Sequence, residues 1–108
     1  MNPYKIDFNS MPWESHAQGV RVKAITRNGQ RLRLFEFSSG FVEDDWCISG
    51  HIGYVLEGQL KIDFSGFSVV YNPGDAVFIP EGAEHKHKAR NVSDIVTLFL
   101  VEKHNEDR

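Results

Sequence analysis

The 108 residues suffice for one domain and are too few for two. An apolar share of 41% with eight Phe allows a packed core, and a charged share of 25% is that of an ordinary globular protein. A formal net charge of −3 without a basic stripe argues against a nucleic-acid surface, and no apolar run approaches the ~20 residues of a membrane helix. The first residues, MNPYKIDFNSMPWES, lack a basic segment followed by an apolar one, and a single cysteine cannot form an internal disulfide. The expectation is a cytoplasmic protein with neither membrane nor nucleic acid as partner.

Taken in chain order, short β-like runs alternate with turn signals. PWESHAQ, from Pro12, has the composition of one helical turn with Pro at an early position. Gly19 to Thr26 alternates Val20, Val22 and Ala24 with Arg21 and Lys23. Asn28-Gly29 then predicts a hairpin, because both residues tolerate positive φ. The returning strand alternates Leu32 and Leu34 with Arg31 and Arg33. The stretch from Ile52 to Tyr71 predicts two further hairpins, turning at Gly58 and Gly66. Between them Leu60, Ile62 and Phe64 share one face and Lys61 and Asp63 the other. Asn72-Pro73-Gly74-Asp75 is a type II turn in composition. AVFIP reads as a short buried strand stopped by Pro80, and Asp94 to Glu102, the longest apolar run, as a central strand. The tail from Lys103 to Arg108 reads as frayed. Eight to ten strands without a repeat or linker suit an all-β jelly roll or small barrel, whose closure also protects its edges.

Two motifs between Gly40 and Ala89 sharpen this reading. Gly74, five residues, Pro80, Glu81, Gly82, two residues and His85 follow the pattern G-(x)5-P-x-G-(x)2-H-(x)3-N. The last position differs: Ala89 stands where Asn is usual, and Asn91 lies two residues on. Asp45, Cys47, His51 and Gly58 follow the spacing of G-(x)5-H-x-H-(x)3,4-E-(x)6-G, with other residue types at the ligand positions and Gly40 one residue nearer than the pattern asks. On these residues the chain resembles the cupins, with a D-x-C-x3-H variant of the first motif. The resemblance implies a single-domain cupin over residues 1–108, folded as a double-stranded β-helix (a jelly-roll barrel), and a homodimer. Exposed edges of a short β domain give the same expectation of pairing.

Spacing alone puts Asp45 and Cys47 on one side of an extended segment. His51 and His85 each follow a tight turn and open a strand in this reading. In a cupin these turns lie at one mouth of the barrel, which implies a metal centre of Asp45, Cys47, His51 and His85. One carboxylate, one thiolate and two imidazoles balance the charge of a divalent cation. His with Cys favours zinc; Asp45, His51 and His85 without the sulfur form the two-histidine, one-carboxylate set of non-haem iron sites. Nickel and manganese fit the same donors.

Each residue also has a plainer reading. A lone cysteine on a β face is ordinarily a small buried hydrophobe. Asp45 adjoins Glu43 and Asp44 in what reads as a solvated acidic rim. His87 shares a face with His85 and is a pocket base, a catalytic proton carrier, or a satisfied pocket histidine. Lys86 and Lys88 alternate with them toward solvent, Trp46 covers the barrel mouth or a neighbouring subunit, and Tyr54 and Phe78 are core candidates.

Three functions follow. The first is a metal-dependent enzyme, such as a dioxygenase or isomerase, acting on a small polar molecule. The second is a metal-free cupin that binds or senses a small molecule. The third is metal-free acid–base chemistry on a sugar, for which His87 needs Asp63 or Asp75 as its partner.

Overall fold

The computed structural model describes residues 3–104 of the chain. Among the described residues nine strands form two antiparallel sheets: β1 (Glu14–Ala17), β2 (Val20–Arg27), β3 (Gln30–Phe37), β4 (His51–Glu57), β5 (Leu60–Phe64), β6 (Phe67–Tyr71), β7 (Ala76–Ile79), β8 (Lys88–Asn91) and β9 (Val96–Lys103). The six-stranded sheet has the order β1-β2-β3-β9-β4-β7 and the three-stranded sheet β6-β5-β8. Among the described residues no helix is long and apolar enough to cross a membrane.

Local sequence explains most of these elements. Asn28 (φ 56°) and Gly29 (φ 75°) form the two-residue turn that joins β2 to β3 in register from Arg27↔Gln30 to Val20↔Phe37. Asn72 and Asp75 close the Pro-Gly turn through a 2.9 Å backbone bond, with Gly74 at φ 97°. β9 lies between β3 and β4, and its alternating burial sends Val96, Leu98, Leu100 and Glu102 inward. The core joins these to Val22, Phe35, Phe37, Val55, Val77 and Ile79 on the large sheet and to Leu60 and Ile62 on the small one.

Four expectations are corrected. PWESHAQ is not helical: Glu14–Ala17 pairs along β2 as an edge strand. A partner strand supplies hydrogen bonds that a single isolated turn lacks. Of the two hairpins expected between Ile52 and Tyr71, only β5–β6 forms. At Gly58 the chain instead leaves the large sheet for the small one; Gly58 holds φ 82°, and a side chain there would collide with the carbonyl oxygen of Ile95. β7 is buried on one face only, and Phe78 and Tyr54, expected in the core, point outward with Phe78 74% exposed. Finally, His85 does not open a strand. It ends a 3-10 turn over Ala83–His85, and β8 begins at Lys88. Of the tail, Lys103 closes β9 and the His104 N–H donates to the Gly29 carbonyl, while residues 105–108 lie outside the described residues.

Candidate metal centre

The segment between β3 and β4 extends the small sheet beyond β8. Glu43 N–H donates to the Ala89 carbonyl, and the Ala89 N–H donates to Glu43 Oε1, both at 2.9 Å. Further along, Cys47 and His87 exchange both backbone bonds: Cys47 N–H to the His87 carbonyl at 2.8 Å, and His87 N–H to the Cys47 carbonyl at 3.0 Å. This is a cross-strand pair, so their side chains are neighbours on one face. His51, the first residue of β4, approaches from the opposite sheet, with its Nε2 3.8 Å from Cys47 Sγ. The His51 and His87 rings meet edge to face, 5.0 Å between centroids.

One donor atom from each of Cys47, His51 and His87 lies within 4.8 Å of the other two. The surrounding contacts set the ring tautomers. His87 Nδ1 stands 3.0 Å from the His85 carbonyl, an acceptor only, so Nδ1 carries the proton and Nε2 the lone pair. That Nε2 is buried without a partner, in a side chain only 3% exposed. His51 Nδ1 stands 2.7 Å from Glu102 Oε2, an ion-pair contact outside hydrogen-bond geometry, and its Nε2 faces Cys47 Sγ. An imidazole whose far nitrogen is bound to a carbonyl, and a second set against a carboxylate, are placed as metal-ligating histidines are.

Glu102 is almost fully buried on β9 and is also 2.6 Å from Arg33 Nη2 and 3.4 Å from Arg31 Nη2. Burial opposes its ionisation, but the contacts with His51 and Arg33 outweigh burial and lower its carboxyl from 4.5 to about 2. Sequence periodicity does not reveal this residue, because Glu102 sits where an apolar inward position is expected.

The donor set fits a divalent ion. A thiolate and two imidazoles are the ligand types of zinc, with ligand–ligand edges of about 3.5 Å in a tetrahedral site. The observed 3.8 Å and the 4.8 Å limit exceed that edge by little more than 1 Å. An unpartnered buried Nε2 costs about 1–3 kcal/mol, and an ion removes that cost.

The structure thus brings together Cys47 and His51 and adds His87, and it places Asp45 and His85 outside this cluster. Asp45 is exposed beside Asp44 and Trp46. The 3-10 turn at Ala83–His85 leaves His85 before the strand, and the backbone pairing with Cys47 falls on His87. The sequence held a signal for this: His87 and Asn91 keep the H-(x)3-N spacing of the second motif after two additional residues. Asn91 Nδ2 donates to the carbonyls of Phe37 and Ser38 at 3.0 and 2.9 Å, tying β8 to the end of β3. The sugar-chemistry pairing does not form. Asp63 is bound to Ser68 and Arg90, Asp75 accepts from the Asn72 N–H, and neither lines the cavity beside His87.

That cavity, of about 280 Å³, lies between the sheets. Phe35, Phe37, Phe41, Leu60 and Leu98 form its apolar wall, and Cys47, His51, His87, Arg33 and Glu43 its polar part. Arg33, Cys47 and His51 also border an outer cleft of about 450 Å³. Trp46, 42% exposed, lines neither of these, and the Lys86 and Lys88 ammonium groups stand 4.9 and 4.8 Å from its ring.

Comparison with known proteins agrees with this architecture. The family model described as a cupin domain matches residues 49–101. The chain is similar in structure to KdgF from Halomonas sp. (TM-score 0.74, 21% identity, covering 92% of this chain and 94% of that one). It is also similar to an RmlC-like cupin from Shewanella frigidimarina NCIMB 400 (TM-score 0.77, 15% identity, 98% and 95% covered). A third similar structure is a protein of unknown function from Rhizobium leguminosarum bv. viciae 3841 (TM-score 0.78, 18% identity, 97% and 100% covered). No curated protein matches the chain in sequence. At these identities the structural likeness speaks for the fold alone. Two facing antiparallel sheets, the turn-bounded glycine and proline spacing, and the family match spanning β4 to β9 lead to one conclusion: the chain belongs to the cupin superfamily.

Proposed function

We propose that the chain is a single cupin domain that holds one divalent metal ion through Cys47 Sγ, His51 Nε2 and His87 Nε2, and acts as a metal-dependent enzyme on a small molecule. The observation that carries this reading is a cysteine and two histidines with one donor atom each within 4.8 Å of the others at the wall of the cavity between the sheets, the far nitrogens of the histidines standing against a carbonyl and a carboxylate. Three protein ligands leave a position open, as catalytic zinc sites do. Zinc is the ion best suited to this donor set; iron, nickel and manganese are the alternatives that elemental analysis separates.

A bound ion supplies a Lewis acid at the cavity wall. The chain's own residues do the rest. Glu102 fixes the His51 ring, the His85 carbonyl fixes the His87 ring, and the Phe wall excludes water from whatever occupies the cavity. In this assignment His87 is a ligand, and the free proton carrier the sequence suggested is not needed. Cytoplasmic location and a homodimer complete the reading, the dimer forming over the outer face of β4 and β7.

Cobalt(II) tests the centre. Added to the chelated protein, it is expected to give a thiolate-to-metal charge-transfer band that Cys47→Ser abolishes. A cobalt spectrum unchanged by Cys47→Ser removes the sulfur from the centre. A metal-free binding cupin, the competing reading, predicts no stoichiometric cobalt uptake and ligand stabilisation that survives chelation.

A further inference from the structure

Two arginines near this centre carry more donors than their visible partner can accept. Arg31 and Arg33 are consecutive inward positions of β3, and both bind the same carboxylate, Glu102, through Nη2. Each guanidinium has five N–H donors. Arg31 Nε and Arg33 Nε are both buried and unpartnered. The outer cleft is lined by three cationic side chains, Arg31, Arg33 and Lys103, against two carboxylates, Glu81 and Glu102. Glu102 is shared with His51 as well, so the positive charge is not neutralised locally.

Arg33 sits where an anion needs it. It borders both the outer cleft and the inner cavity, beside Cys47 and His51, which border both as well. Its guanidinium lies 4.6 Å from the Phe35 ring centroid, so stacking orients its planar fork. Among the described residues the only carboxylate lining the inner cavity is Glu43, and its Oε1 is taken by the Ala89 N–H. The cavity's 280 Å³ falls just below the roughly 300–1,000 Å³ of common ligand sites, which limits the ligand to a small one.

We propose that the molecule bound at this site is a small carboxylic acid, its carboxylate held by Arg33 with Arg31 behind it and its apolar body directed between Phe35, Phe37 and Leu98. The proposal rests on the functional reading above in taking the same cavity as the ligand site, but the arginine contact does not require the metal. Planar guanidinium forks match carboxylates geometrically, and a neutral amide of the same shape lacks the charge.

The test is a calorimetric and NMR titration of the full chain with acetate, butyrate, pyruvate and benzoate, each against its amide, and with inorganic phosphate. It is run on metal-loaded and on chelated protein. At least one acid is expected to bind about tenfold or more tighter than its amide, the ratio that a charge-assisted hydrogen bond supplies. The preference is expected to disappear in Arg33→Gln and to shrink in Arg31→Gln. No preference for any acid over its amide overturns the proposal, as does a preference that survives Arg33→Gln, or phosphate outcompeting every acid. Should Arg33→Gln not fold, the wild-type preference must still fall with rising ionic strength and in Arg31→Gln; a preference indifferent to both overturns it. Acid binding that persists in chelated protein upholds the arginine contact even if the metal centre fails, so the two readings fail separately.

Discussion

Glu102 is the residue on which the site's electrostatics converge. One carboxylate meets His51, Arg33 and Arg31, and nothing else among the described residues compensates these groups together. Glu102→Gln therefore leaves two guanidiniums short of an anion. Breaking a buried charge pair from one side costs roughly 3–5 kcal/mol, and partial exposure of both arginines puts this case at the lower end. The same variant loosens the His51 ring, and loss of such an outer contact weakens metal binding about 10–100-fold. Urea denaturation and chelator competition measure the two effects. The pH dependence follows in sign. The folded carboxyl titrates at about 2 and the unfolded one at about 4.5, so between these values the unfolded chain binds the extra proton. The stabilisation is complete above about 4.5 and is lost as pH falls through the window toward 2. Urea midpoints of the wild type are expected to drop across that window more steeply than those of Glu102→Gln; parallel profiles contradict the assignment.

At the level of elements, legibility followed contact range. Turns written in adjacent residues were readable: Asn28-Gly29 fixes the β2–β3 register, and the Pro73-Gly74 turn stands where its composition puts it. The alternation of Leu60, Ile62 and Phe64 likewise gave the correct inner face of β5. Gly58 was read as a turn, but whether a turn returns along the same sheet or crosses to another depends on partners elsewhere in the chain. The site shows the same limit. Motif spacing pointed to Cys47 and His51, which do lie together, yet that His87 rather than His85 stands beside them depended on a 3-10 turn and on a backbone pairing with a segment forty residues away. Tyr54 on β4 and Phe78 on β7 were core candidates, yet apolar residues there occupy the outer face. Ile52, Tyr54, Leu56 and Phe78 are exposed there, and β7 is the free edge of the large sheet. Such a patch suits a second copy of the chain. Phe78→Glu, at a position outside the core, is expected to convert a dimer to a monomer in sedimentation while the circular-dichroism spectrum of the folded chain is unchanged. A wild-type chain that sediments as a monomer contradicts the pairing.

Across the whole molecule, the two sheets do different work at one place. The large sheet contributes His51 with its Glu102 and arginine support, and the small sheet with its extension contributes the Cys47–His87 pair. The cluster forms only where the sheets close on each other, so an ion held by it would also stabilise the closed barrel. Metal content of protein purified without chelators or a metal-affinity step tests this most directly, on the wild type, Cys47→Ser, His87→Ala and His85→Ala. The account predicts about one divalent ion per chain in the wild type and in His85→Ala, and loss of it in Cys47→Ser and His87→Ala. A wild type without metal, or an ion that leaves with His85 and stays without His87, contradicts it.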